Sequence, residues 1–214
     1  MSSEKPWVAG ADFPHALTAP DRIPAARYTD PAFFELERDR LWSRVWQMAC
    51  RLDEIPEVGD WVEYECLGRS VIVVRTQKDE IRAHHNVCRH RGTRLVSGRG
   101  RGATGFTCPF HGWCWNLDGS NRLVFAPEVF DPALLAADEI ALGRVRLECW
   151  GGCAWINFDD DAAPLRASLE PFATYHDALS VERMHAESWF ETIVPANWKL
   201  VAEAFMEGLS LIHI

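Results

Sequence analysis

The stretch CRHRG at residues 88–92 sets a cysteine and a histidine two positions apart with a glycine behind them, and CPFHGW at residues 108–113 sets a cysteine and a histidine three apart with another glycine behind. Between His90 and Cys108 lie 17 residues. Thiolate and neutral imidazole are ligands for transition metals, so four donors arriving as two mixed pairs ask which metal arrangement suits them. Zinc accepts two Cys and two His, but finger-type sites pair like with like. A mixed pair on each loop suits two metals better, because each loop can then give one ligand to each metal.

The composition is that of a folded chain that can house such a site. Its 214 residues are 48% hydrophobic and include ten tryptophans, which supplies a real core and leaves room for one large or two small domains. The seven cysteines are Cys50, Cys66, Cys88, Cys108, Cys114, Cys149 and Cys153, an odd number in a chain without an apolar leader, which argues for reduced thiols and metal ligation over a disulfide framework. No apolar run approaches the roughly 18 residues of a membrane span, so a soluble, cytoplasmic protein with no membrane partner is expected. The net charge of -9 argues against nucleic acid as a partner. Charge is nevertheless uneven: from Ile81 to Thr107 there are six arginines, Arg82, Arg89, Arg91, Arg94, Arg99 and Arg101, and no Asp or Glu. This basic collar around the first ligand pair is either a solvated loop or a docking surface for an acidic protein.

The first thirty residues, rich in Pro and Ala, suggest an extended arm. DPAFFELERDRLWSRVW then predicts a helix, with Asp30 as N-cap, Pro31 at the first helical position, and Phe34, Leu41, Trp42 and Val45 along one face. From Trp46 the pattern shifts to short β-type runs, VWQMAC, WVEYEC, VIVVR, IRAHHN, GFTC, CWNLD and RVRLECW, separated by turn signals at EVGD, LGR, QKDE and LDGS. An antiparallel β domain reaching about Phe158 is expected, with both ligand pairs in loops near its tip. WGGCAWINF reads as two strands joined by a Gly-Gly turn, and DDDAAP from Asp159 to Pro164 as a boundary. Beyond it the pattern predicts a helix over about Leu165 to Leu179, a strand near ESWFETIVP, and a final helix over NWKLVAEAFMEG with Trp198, Val201 and Phe205 on one face and Glu203 and Glu207 on another.

In a sulfide-bridged two-iron centre with mixed ligands, one iron takes both thiolates and the other both imidazoles. CRHRG and CPFHGW together resemble the two halves of a Rieske iron-sulfur motif, agreeing in ligand types, internal spacings, separation and following glycines. The resemblance implies a [2Fe-2S] cluster held by Cys88 and Cys108 on an inner iron and His90 and His111 on an outer one. His84 and His85 fall outside the motif and read as strand histidines, while Cys50, Cys66, Cys114, Cys149 and Cys153 read as small buried hydrophobes. Rieske proteins of the respiratory-chain type add a cysteine to each loop and direct a serine hydroxyl at a bridging sulfur. Here Thr93, Phe110 and Trp113 stand at those positions, which predicts a potential toward the low end of the roughly -150 to +300 mV Rieske range.

The chain continues past the β domain, and NWKLVAEAFMEG resembles the opening of the catalytic domain of Rieske non-heme iron oxygenase α subunits, the aromatic-ring-hydroxylating family. Asn197, Trp198, Lys199, Glu203, Phe205 and Glu207 match that family's pattern, Ala204 replaces an Asn, and Leu209 and Ser210 stand where the family has Tyr-His. The resemblance implies an α+β chain: an N-terminal arm and helix over residues 1–45, an antiparallel β-sandwich Rieske [2Fe-2S] domain over 46–158, and over 159–214 the truncated start of an α+β, helix-grip catalytic domain. It also implies an acidic ferredoxin or flavin reductase as electron donor, a mononuclear Fe(II) in the full-length parent, O2 and an aromatic or related small-molecule substrate, and a homotrimer or α3β3 assembly. Glu207 falls at the acidic position that, in that family, bridges a Rieske histidine of one subunit to a catalytic-iron histidine of its neighbour; the plainer alternative is a helix-surface glutamate. His213 reads as a tail histidine, and the terminal LSLIHI as foreign to the family, which would make the chain an N-terminal fragment. A stand-alone Rieske electron-transfer module is the competing function, and a zinc-bound scaffold the third.

Overall fold

The computed structural model describes residues 23–206. By internal contacts the described residues form two units, one of residues 23–42 with 188–206 and the other of residues 43–187. The elements, in chain order, begin with helices α1 (Ala26–Thr29) and α2 (Pro31–Arg40). The strands β1 (Gln47–Arg51), β2 (Trp61–Cys66), β3 (Arg69–Gln77), β4 (Glu80–His85), β5 (Arg99–Gly100), β6 (Phe106–Thr107), β7 (Cys114–Trp115) and β8 (Asn121–Leu123) follow. After them come α3 (Ala137–Ile140), β9 (Arg144–Trp150), β10 (Cys153–Asn157), α4 (Leu165–Leu169), α5 (Phe172–Asp177) and α6 (Trp198–Met206).

The larger unit is built from two antiparallel sheets, one of seven strands in the order β1-β10-β9-β4-β3-β2-β5 and one of three in the order β6-β7-β8. The apolar run on β3 explains how they are held. Val71, Ile72, Val73 and Val74 are all 0% exposed. Successive side chains on a strand point to opposite faces, so a run buried throughout must feed two cores. Val71 and Val73 pack with Cys50, Ile55, Val62, Ala83, Val145, Ala154 and Ile156, whereas Ile72 and Val74 pack with Leu95, Phe106, Trp113, Trp115, Leu142, Cys88 and Cys108. Each such aliphatic side chain contributes about 1.5–3 kcal/mol by leaving water. The second core is therefore also the floor beneath the two cysteines of the motif.

The expected β runs form strands, and Gly151-Gly152 makes the turn between β9 and β10, where Cys153 pairs with Trp150. Two expectations are corrected. The helix over Leu165 to Leu179 is two short helices, α4 and α5, interrupted at Glu170-Pro171, where proline brings no N–H to the helical ladder. No paired strand forms over ESWFETIVP, whose Phe190 and Ile193 are 92% and 93% exposed and so have no sheet to join. The 159–187 segment groups by contacts with the β-rich unit, α4 packing on β9.

In the smaller unit, Asp30 caps α2 as expected, its carboxylate accepting from the Ala32 N–H at 2.8 Å. The buried face of α2 differs from expectation. Phe33 and Glu37, one turn apart, are the buried pair, and the helix ends at Arg40, before Trp42 and Val45. Glu37 is buried because Lys199 and Trp198 of α6 reach it, at 2.7 and 3.3 Å. Phe205, expected to share a face of α6 with Trp198 and Val201, is 87% exposed. Glu207 and His213 lie outside the described residues, as do LSLIHI and most of the N-terminal arm.

Candidate metal centre

The two ligand loops are built alike. In the first, the Cys88 N–H donates to the Thr93 carbonyl at 2.8 Å and the Gly92 N–H returns to the Cys88 carbonyl at 2.9 Å. In the second, the Cys108 N–H donates to the Trp113 carbonyl at 2.8 Å and the Gly112 N–H returns to the Cys108 carbonyl at 3.1 Å. The same closure thus recurs although the histidine stands at a different offset. Gly92 and Gly112 close their loops with φ of +73° and +70°, a left-handed conformation that a side chain would disfavour. This is the physical reason for a glycine four residues after each cysteine.

The closed loops bring the four donors together. Cys88 and Cys108 are 4% and 3% exposed, and their thiols face one another closely enough to share a hydrogen bond. The Nδ1 atoms of His90 and His111 lie 3.2 Å apart. Two nitrogens bound at about 2.1 Å to one metal in roughly tetrahedral array would be about 3.4 Å apart, so the imidazole pair already has the separation that a shared iron requires. Among the described residues no three His, Cys, Asp or Glu side chains converge on a single ion position. The donors instead fall into a sulfur pair and a nitrogen pair, which fits a two-iron cluster with two protein ligands per iron and fits a lone zinc poorly.

The protonation states suit ligation. Burial pushes the Cys88 thiol up, against the N–H groups of His90 and Arg91 that point at its sulfur. Burial opposes ionisation of Cys108 too, but N–H groups of His111 and Phe110, with the Cys88 thiol and the Thr93 hydroxyl, bring it below the ordinary thiol value. Of the facing pair, the negative charge is thus favoured at Cys108 over Cys88. Burial, the neighbouring His111 ring and Arg91 together lower the His90 pKa, which favours the neutral imidazole with a free lone pair.

The cage around these donors was only partly legible in the sequence. Asn86, two residues before Cys88, is 4% exposed, and its Oδ1 accepts from Leu95 and Val96 N–H at 3.0 and 3.1 Å. Its Nδ2 donates toward the Val96 carbonyl at 2.7 Å, with the Ser70 hydroxyl at 2.9 Å and Glu63 at 3.1 Å. Asn86 thereby ties the segment after the first loop to β2 and β3; sequence reasoning missed it, and an amide at the end of a strand, just before a ligand, is the signal that could have found it. Burial resists the Glu63 charge, yet the Ser70 hydroxyl, the Gly98 N–H and Arg94 hold its carboxyl below the usual range. Phe130, from the long connection after β8, sets its ring edge-on to His90 at 5.7 Å, and nothing local in the sequence announces it.

The arginine collar is largely answered within the chain. Arg82 pairs with Glu80, Arg94 with Glu63 and Glu65, Arg99 with Glu54 and Arg101 with Asp60, while Arg89 donates to the Glu139 carbonyl. Arg91, beside His90, is exposed and makes no ion pair among the described residues. The strand histidines behave as expected: His84 is buried with Nε2 3.1 Å from the Leu117 carbonyl, and His85 stacks on Phe158. Cys50, Cys114 and Cys153 are buried, but Cys66 is half-buried and Cys149 exposed, lining a surface hollow of about 320 Å³ with Arg51 and Glu182.

Residues 45–131 match the family model for the Rieske [2Fe-2S] domain. The chain is 33% identical over 187 residues to the carnitine monooxygenase oxygenase subunit of Escherichia coli K12, covering 86% of this chain and 50% of the relative. It is 32% identical over 218 residues to the biphenyl 2,3-dioxygenase subunit alpha of Rhodococcus jostii RHA1, covering 98% of this chain and 46% of the relative. The crystal structure of a quaternary ammonium Rieske monooxygenase in complex with L-carnitine superposes with a TM-score of 0.78 at 28% identity, over 86% of this chain and 53% of that one. The chain thus spans about half the length of the curated relatives it matches. Ligand loops, fold and relatives agree: residues 45–131 match a Rieske [2Fe-2S] domain, and the chain is similar to oxygenase α subunits of the Rieske type over about half their length.

Proposed function

We propose that this chain is the redox half of a Rieske oxygenase α subunit, with Cys88, His90, Cys108 and His111 holding the cluster. Bound there, a [2Fe-2S] cluster supplies a one-electron carrier. Cys88 and Cys108 anchor it on the dry side, above the core of Ile72, Val74 and Trp115. His90 and His111 hold the outer side, where Phe110 is 58% exposed. Electrons enter over that side from a ferredoxin or a flavin reductase, and Arg91 is the basic group placed to meet an acidic donor.

In the whole protein the destination is a mononuclear Fe(II) where O2 hydroxylates an aromatic or related small molecule. The relatives named for carnitine and biphenyl keep both ring and quaternary ammonium substrates in view. Residues 46–158 serve as the Rieske domain and 159–214 as the beginning of the catalytic domain, with Glu207 as the acidic bridge to a neighbouring subunit in a trimeric ring. The observation that carries the reading is the convergence of two thiols and two imidazole Nδ1 atoms on similarly closed loops.

The test uses the full-length gene product with an NAD(P)H-dependent reductase. Substrate-dependent O2 uptake that disappears in His111→Ala is the expected result. A cluster that is reduced and reoxidised without any O2 uptake, across both aromatic and quaternary ammonium substrates, would assign the chain to electron transfer alone.

A further inference from the structure

The two histidines of the site are not held alike. The Trp113 indole lies face to face on the His90 ring, centroids 5.0 Å apart and planes 5° from parallel. Phe130 meets both rings edge-on, at 5.7 Å from His90 and 5.5 Å from Trp113. Trp113 is 3% exposed and packs in turn on Trp115, at 6.4 Å, within the core beneath the cysteines. His111, by contrast, has Phe110 against its ring at 3.8 Å, and Phe110 is largely in solvent. Trp113 belongs to the second loop and His90 to the first, so the indole joins the loops directly. Its own carbonyl also closes the second loop on the Cys108 N–H.

From this asymmetry we infer that Trp113 is a positioning residue of the centre, clamping His90 in a fixed orientation while His111, backed by the exposed Phe110, remains the compliant imidazole. A ring confined between an indole face and a phenyl edge cannot rotate about its Cβ–Cγ bond without losing both contacts, so its Nδ1 stays aimed at the Nδ1 of His111. The inference rests on the Rieske reading, and it explains why a tryptophan can stand where the respiratory-chain type has a serine: the position is used from the side, through the imidazole.

The test is made on the reconstituted chain, with nitrogen hyperfine couplings of the reduced cluster measured by pulsed electron paramagnetic resonance and the midpoint potential measured in parallel. Trp113→Leu is expected to change one of the two histidine couplings, leave the other in place, and shift the potential, while circular dichroism shows the sheets intact. Trp113→Phe, which keeps a ring able to stack, is expected to retain both couplings. If Trp113→Leu takes up no cluster, Phe130→Leu is expected to move the same single coupling. Two unchanged couplings, or two that move equally, in the variants that hold a cluster would overturn the inference. Absence of any cluster from the wild-type chain would instead sink the Rieske reading on which it stands.

Discussion

The Glu37 carboxylate and the Lys199 ammonium meet at 2.7 Å across 162 positions of sequence, with side chains only 9% and 18% exposed. The ring centres of Trp198, Phe33 and Tyr28 lie 5.2, 5.3 and 5.5 Å from the ammonium, and the Trp198 indole N–H donates to the other Glu37 oxygen at 3.3 Å. A second bond, from the Tyr28 hydroxyl to Glu203 at 2.8 Å, fastens the same helix. Lys199→Met leaves a carboxylate buried without its cation and is expected to cost about 3 kcal/mol in urea unfolding followed by tryptophan fluorescence. The double variant Glu37→Met with Lys199→Met is expected to cost less than Lys199→Met alone. A single and a double variant of equal stability would show that the pair is not coupled.

Asn86→Ala should loosen the first ligand loop. It strips the partner from the Leu95 and Val96 N–H groups and from the Val96 carbonyl, and each buried group left unsatisfied costs about 1–3 kcal/mol. The expected outcome is a loss of about 3 kcal/mol and faster bleaching of the reconstituted cluster. Bleaching at the wild-type rate would remove Asn86 from the support of the site.

His84 gives the fold a pH dependence of known sign. Burial holds its pKa at about 4, against 6.5 in an unfolded chain. As pH falls through 6.5 the unfolded chain takes up the proton first, so stability declines until about pH 4 and levels off below. The shift amounts to about 3 kcal/mol, all of it absent above pH 6.5. His84→Leu is expected to destabilise at pH 7 but to close on the wild type by about that amount at pH 4.5, in urea midpoints at the two pH values. Parallel curves would contradict the assignment.

What was legible beforehand follows from how local each cause is. The ligand loops were legible because cysteine, histidine and glycine act within six residues of one another, and the strands because their alternation or continuous burial is written along the chain. The buried face of α2 was not, since a glutamate turns inward only when a cation from 162 positions away is waiting for it. The collar of arginines looked like a free basic field because most of its carboxylate partners, Glu54, Asp60, Glu63 and Glu65, lie on or just before β2, and Glu80 on β4, all upstream of the window in which the arginines cluster. Phe130 escaped for the same reason: its contact with His90 exists only after the long connection folds back over the site.

The potential of the centre should fall below zero, in the lower part of the roughly -150 to +300 mV Rieske range. Backbone N–H groups and the Thr93 hydroxyl are the donors that approach the cysteine sulfurs. Thr93→Val, which removes that hydroxyl, is expected to lower the midpoint by roughly 40 mV, the one-electron equivalent of about 1 kcal/mol for one hydrogen bond. A redox titration that places the wild type well above zero would contradict this reasoning.

Anaerobic reconstitution of the chain with iron and sulfide, followed by metal analysis and electron paramagnetic resonance, measures the centre itself. The expected result is about two iron and about two acid-labile sulfide per chain, with two histidine nitrogens coupled to the reduced cluster and no cluster retained in the variant with both His90→Ala and His111→Ala. A chain that binds one zinc and no sulfide, or that builds the same cluster without either histidine, would contradict the reading of Cys88, His90, Cys108 and His111 as its four ligands.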